Sequence, residues 1–149
     1  MSKSKIFPEL SMTLNDITLF EKTPSLKELK QIHEMKTGAL ITAAILIPAI
    51  LCNATETQKN ALSKFGHHLG LLFQITDDIL DVTASQHQLG KTPQKDIKQN
   101  KTTYVTLLGL DEAQKFATKE SENAINTIKP FNNKESLIEL VHYIKQRTH

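Results

Sequence analysis

The sequence predicts an all-α fold, and three observations carry that reading. Apolar residues recur at helical spacing in one stretch after another, no convincing run of strict alternation survives, and valine is scarce. At 149 residues the chain is one domain's worth of sequence, and its 39% of hydrophobic residues is a lean but sufficient supply for a core.

Residues 1–23 show no clear period and are read as an irregular segment. A helix is expected from Ser25, which can form a capping box with Glu28 directly after Pro24. Leu26, Leu29 and Ile32 then recur at helical spacing. Gly38 should weaken this helix locally, and Pro48 should kink or end its continuation. A second long helix is expected from about Thr57 to Val82, with Leu62, Phe65, Leu69, Leu72, Phe73, Ile79 and Leu80 on its apolar side. A polar loop follows, about Thr83 to Gln99. Another helix should start around Thr102, bury Tyr104, Val105, Leu107 and Leu108, and break at Gly109. Asp111 is expected to cap the helix after it, which runs to about Ile128. A turn at Pro130, Asn132 and Asn133 leads to a last amphipathic helix marked by Leu137, Ile138, Leu140, Val141 and Ile144. Helices of this length need partners for their apolar faces.

Eighteen basic and 16 acidic residues leave a net charge of +2, too balanced to argue for a nucleic-acid or anionic-membrane partner. The single cysteine, Cys52, fits a reducing compartment, and a cytoplasmic location is expected. The longest uncharged stretch, Gly38 to Ala54, falls short of the roughly 20 residues a spanning helix needs and contains Pro48, so a buried core helix is expected there rather than a membrane span.

The informative segment is Phe73 to Asp81, FQITDDILD. On a helix, Gln74, Asp77, Asp78 and Asp81 fall at i, i+3, i+4 and i+7 and share one face. Clustered carboxylates repel one another unless a cation sits among them. Their hard oxygens suit magnesium, which takes few protein ligands and completes its shell with water and substrate phosphate. The stripe therefore reads as half of a metal–diphosphate clamp; the plainer reading is a solvated acidic face. A diphosphate clamp also needs cations. Lys36-Thr37-Gly38 offers a point charge, a hydroxyl donor and a position where a ligand or another backbone can come close. Lys91 lies in the polar loop and Lys101 at the next helix start. Each lysine alone is more often a solvated surface group. His67 and His68 lack a third partner at zinc spacing and are read as structural or polar-face residues.

Four segments in one order, HEMKTGALI (33–41), GLLFQITDDILDVTA (70–84), LGKTPQKD (89–96) and KTTYVTLLGLDEA (101–113), resemble the trans-isoprenyl, or polyprenyl, diphosphate synthases of the farnesyl and geranyl type. The likeness runs over about residues 24–149, as the C-terminal part of such a synthase domain. It implies a partial isoprenoid-synthase helical bundle, an allylic prenyl diphosphate as substrate, Mg2+ as cofactor, and a homo-oligomer or a complementary synthase subunit as partner. It implies head-to-tail transfer of an allylic prenyl group onto isopentenyl diphosphate. By position, Asp77, Asp78 and Asp81 match the family's second aspartate-rich motif, with Asp77 the principal magnesium ligand and Asp81 assisting through water. Lys36, Lys91 and Lys101 match basic positions around the allylic diphosphate, and Thr37 and Gln74 match residues lining that site. The first aspartate-rich motif, the arginines after it and the early Gly-Lys-x-x-Arg segment have no counterpart in this sequence, and Gln94 stands where the family usually has glycine. Two readings follow. One is a prenyltransferase fragment, inactive or nearly so by itself. The other is a non-catalytic module that pairs with a prenyl synthase through exposed apolar helices.

Overall fold

The computed structural model describes residues 23–88 and 102–147. The segment expected to be irregular and most of the expected polar loop, with Lys91 and Lys101, lie outside the described residues. Among the described residues six α-helices follow one another: α1 (Leu26–His33), α2 (Ala39–Leu51), α3 (Glu56–Gln88), α4 (Tyr104–Leu108), α5 (Leu110–Thr127) and α6 (Glu135–Gln146). A π-helical turn, Glu34–Gly38, joins α1 to α2. Among the described residues there is no strand, and the all-α expectation holds.

The N-terminal cap forms as the local sequence dictates. The Glu28 carboxylate accepts from the Ser25 N–H at 2.7 Å, and the Ser25 hydroxyl accepts from the Glu28 N–H at 3.3 Å. Gly38 does not interrupt the helix. It closes a π turn instead, so α1 and α2 make one rod from Leu26 to Leu51. Pro48 sits in the last turn of that rod, where only Ala49, Ile50, Leu51 and the cap at Cys52 follow it. Thr55 and Gln58 cap α3 reciprocally, at 2.9 and 3.3 Å. The helix then runs to Gln88, six residues past its expected end, because Thr83 satisfies its hydroxyl on the carbonyls of Ile79 and Leu80 rather than competing for the backbone. Asp111 is not a cap. Gly109, at φ +82°, turns the chain in a conformation that disfavours a Cβ, so α5 starts at Leu110 and Asp111 falls within its first turn.

α3 is the central helix. Phe65, Leu69, Leu71, Leu72 and Ile75 are buried on it, beyond the single apolar side that the sequence pattern marks. α5 and α6 close over this core with Ala113, Ala117, Ala124, Ile128, Val141 and Ile144. The rod crosses α3 where side chains vanish. A Cβ on Gly70 would stand 2.7 Å from the Cα of Gly38, and one on Gly66 would stand 2.8 Å from the Cα of Thr42. By length and composition the 26-residue rod could cross a membrane, so the length argument made on residues 38–54 no longer excludes it. The backbone contacts at Gly38 and Thr42 are what tie the rod to the bundle. Its outer side is bare: α2 has no buried residue, and Leu40, Ile47 and Leu51 are 72, 57 and 76% exposed. The buried core helix expected here is therefore only half covered.

A polar pair fastens α3 to α5. His68 Nδ1 lies 2.7 Å from the Glu120 carboxylate, which is buried. Burial pushes that carboxyl up, but the hydrogen bond and charge of His68, joined by Lys30 and His67, outweigh burial and leave it below its ordinary value. Nearby, His67 Nε2 lies 3.3 Å from Glu34, linking α3 to the π turn.

Two outcomes follow for stability. Gly70→Ala forces backbone against backbone and should cost about 1–3 kcal/mol. Gly38→Ala, whose Cβ would meet nothing nearer than the His33 carbonyl at 3.5 Å, should cost far less; thermal melts of both variants check the contrast. A carboxyl held below its ordinary value gives stability that is full above its unfolded-chain value and lost as pH falls through the lower native one. The advantage of the native chain over Glu120→Gln in denaturant titrations should therefore be full above the ordinary glutamate value of about 4.3 and shrink as pH falls below it.

Candidate functional site

The acidic stripe lies in the second half of α3, and its three carboxylates have three different surroundings. Helical geometry spreads Asp77, Asp81, Gln74 and Asp78 over an arc of about 100°, with Asp77 at one edge and Asp78 at the other. The Asp78 edge borders Ile75, which is fully buried, and Asp78 is itself only 3% exposed. Its Oδ2 accepts the Tyr104 N–H at 2.8 Å, so Asp78 anchors the first turn of α4, which Thr103 and Thr106 also cap. Asp77 has 48% of its side chain exposed, and Asp81 is exposed at the outer end. Gln74 is partly buried between them.

Tyr104 carries this inner edge into the core. Its ring is fully buried, with centroids 5.3 Å from His33 and 5.7 Å from Phe116. Burial first, then the negative charges of Asp78, Glu34 and Glu120, drive its phenol far above the ordinary range, so it stays neutral. Asp78 thus serves the fold through a neutral core residue, while Asp77 and Asp81 face outward.

At the outer edge stands a residue that the sequence pattern does not mark. Arg147, just past the end of α6, donates from Nη2 to Asp77 Oδ1 at 3.0 Å and to the Phe73 carbonyl at 3.2 Å. Its guanidinium carbon lies 4.1 Å from the centroid of the Phe73 ring. Phe73 and Asp77 are one helical turn apart on α3, so a single side chain grips both. The contact spans 70 positions of sequence and no local signal could have found it.

The π turn docks on the same stripe. Gly70, against which Gly38 packs, lies two turns before Asp77, about 10 Å along the axis. Lys36 and Thr37 therefore enter beside the run of residues that carries the carboxylates; Lys36 is exposed and Thr37 partly buried. Lys91 and Lys101 belong to the undescribed segment; Gln74, Asp77 and Asp81 share one edge of α3, Asp78 turns inward, and the turn that carries Lys36 and Thr37 docks on α3 at Gly70.

The donor set suits one kind of metal site. Among the described residues no group of three or more His, Cys, Asp or Glu side chains is arranged to hold an ion. Two outward carboxylates one turn apart are too few for an all-protein cage. They fit magnesium, which uses one or two carboxylates and fills its remaining positions with water and phosphate oxygens.

Comparison with known proteins bears on the whole chain. The family described as "Polyprenyl synthetase" matches residues 12–144, beginning twelve residues before the likeness read from the motifs. A dimethylallyltranstransferase of Fischerella ambigua is 46% identical over 125 residues, which cover 83% of this chain and 36% of that protein. The large subunit 1 of a heterodimeric geranylgeranyl pyrophosphate synthase from Arabidopsis thaliana is 37% identical over 138 residues, 91% of this chain and 35% of that one. The crystal structure of a protein provisionally named as a farnesyl-diphosphate synthase, from a Marinomonas species, superposes with a TM-score of 0.73 at 34% identity, covering 92% of this chain and 46% of the other. The chain thus spans less than half the length of each of these relatives. With the family matched over most of its residues and the helical fold shared, the chain belongs to the polyprenyl synthetase family.

Proposed function

We propose that this chain forms the allylic-diphosphate side of a prenyl-transfer site, of the kind that condenses an allylic diphosphate with isopentenyl diphosphate in the cytoplasm. The observation that carries the reading is the pair of outward carboxylates, Asp77 and Asp81, on the stripe against which the Lys36–Thr37 turn is docked by Gly38 and Gly70. Magnesium, when bound, supplies Lewis-acid stabilisation of the charge on the departing diphosphate. Asp77 and Asp81 would hold it. Lys36 would meet the diphosphate as a point charge, Thr37 would donate a hydroxyl hydrogen bond, and the Gln74 amide would fix the orientation between them. Lys91 and Lys101 would add cations from the segment between α3 and α4. Asp78 takes no direct part in this account; its carboxylate is committed to Tyr104.

Half a clamp binds better than it catalyses. Departure of the diphosphate needs charge stabilisation that grows in the transition state, and this sequence contains neither the first aspartate-rich motif nor the isopentenyl diphosphate segment. The 149-residue chain should bind dimethylallyl diphosphate in calorimetry only with Mg2+ present, and Asp77→Asn should weaken that binding at least tenfold. Prenyl transfer by the same chain should stay at background. Magnesium-independent binding, or an unaffected Asp77→Asn, would overturn the site; robust turnover would overturn inactivity.

A second reading is favoured by the bare face of α2. Leu40, Ala44, Ile47 and Leu51 fall at i, i+4, i+7 and i+11, one stripe with no charge in it, and all are exposed. A surface of this kind marks an interaction site, and a relative is named as a subunit of a heterodimeric synthase. A module that pairs with another synthase chain, or with itself, would cover it. Light scattering should show concentration-dependent association, and Ile47→Asp should abolish it with little loss of melting temperature; a monodisperse monomer at every concentration would count against pairing.

A further inference from the structure

We infer that Arg147 is a positioning residue that holds Asp77 in the metal-free chain and must give it up when a divalent cation binds. The inference rests on the reading of Asp77 as a metal ligand and adds a control on it. Arg147 is anchored on one side only, by Asp77 Oδ1 at 3.0 Å, the Phe73 carbonyl at 3.2 Å and the Phe73 ring at 4.1 Å. Its Nε is buried and has no hydrogen-bond partner among the described residues. An unsatisfied buried donor makes the docked position costlier than its contacts suggest, and undocking would hydrate it.

The two cations compete for one oxygen. Asp77 Oδ1 already accepts from the guanidinium, whose charge no accessible pH removes. A divalent ion on that oxygen would stand within a few ångströms of a fixed positive charge with no other described anion on Arg147 to offset it. Displacement of Arg147 relieves this. The swinging element is the end of α6, where the Arg147 N–H still bonds the Tyr143 carbonyl at 3.0 Å. Metal at α3 would therefore loosen the last turn of α6. Linkage requires the converse: a docked Arg147 weakens metal binding by the same factor by which metal weakens docking.

The test uses Mn2+ alone, with free ion counted by electron paramagnetic resonance, on the full chain. Arg147→Gln should bind Mn2+ about threefold to fivefold more tightly than the native chain, the range an exposed-to-half-buried ion pair supplies. Arg147→Lys, which keeps the charge but loses the fork and the ring stack, should fall between. In the native chain, Mn2+ should speed hydrogen exchange of the amides at 143–147 by a similar factor, a readout that needs no variant to fold. Asp77→Asn is the control. If it leaves Mn2+ binding unchanged, the metal reading of the site fails. If it abolishes binding while Arg147→Gln binds Mn2+ as well as or worse than the native chain, and exchange at 143–147 does not rise, then the competition is overturned and the site stands.

Discussion

The placement of the rod on this fold depends on a close crossing that two glycines of α3 permit. The rod of α1, the π turn and α2 meets α3 at Gly38 on Gly70 and at Thr42 on Gly66, so close that a Cβ on either α3 glycine would enter its neighbour's backbone. Packed interiors do not yield by an ångström without cost. The crossing therefore sets where the π turn stands along α3, and with it the separation between Lys36, Thr37 and the carboxylates two turns further on. The π turn has a part in this. One extra residue in a helical turn shifts the register of everything after it, so the face that α1 buries through Leu29 and His33 can differ from the face α2 presents.

The acidic stripe is a lesson in how one pattern serves two purposes. Spacing alone treats Asp77, Asp78 and Asp81 alike, because all fall within a quarter to a third of a helical turn of arc. Burial divides them. The edge beside Ile75 faces the core, and a carboxylate there is tolerable only with a donor in place; the Tyr104 N–H supplies it. At the opposite edge Asp77 stays half exposed, and its charge is met by the Arg147 guanidinium. Which aspartate falls on which edge is set by the neighbours of α3, and no count of residues along one helix contains that.

What could be read in the sequence was local or motif-borne. The Ser25–Glu28 box, the helical period of α3 and α5 and the break at Gly109 each depend on residues within a turn of one another, and each stands in the structure. The family likeness rested on several motifs in order, and the match over residues 12–144 bears it out. The misjudged points share a cause. Gly38 looked like an interruption because glycine weakens an isolated helix, yet here the π turn carries the helix through it, and the missing side chain of Gly70 lets its backbone dock on α3. Asp111 looked like a cap because aspartate favours that position, yet the positive φ of Gly109 places the cap two residues earlier. Pairings across the chain, Asp78 with Tyr104 and Arg147 with Asp77, have no local trace.

The bare face of α2 and the guarded carboxylate of Asp77 raise the same physical question at two scales. Each is a group in a state that costs something until a partner comes: apolar surface held in water, and an arginine held with one buried donor unmet among the described residues. Proteins keep such features where binding repays them, because an interaction fully satisfied in the free chain leaves nothing for a ligand to gain. On that logic the outer side of the rod and the outer edge of α3 are the two places where this fold is unfinished.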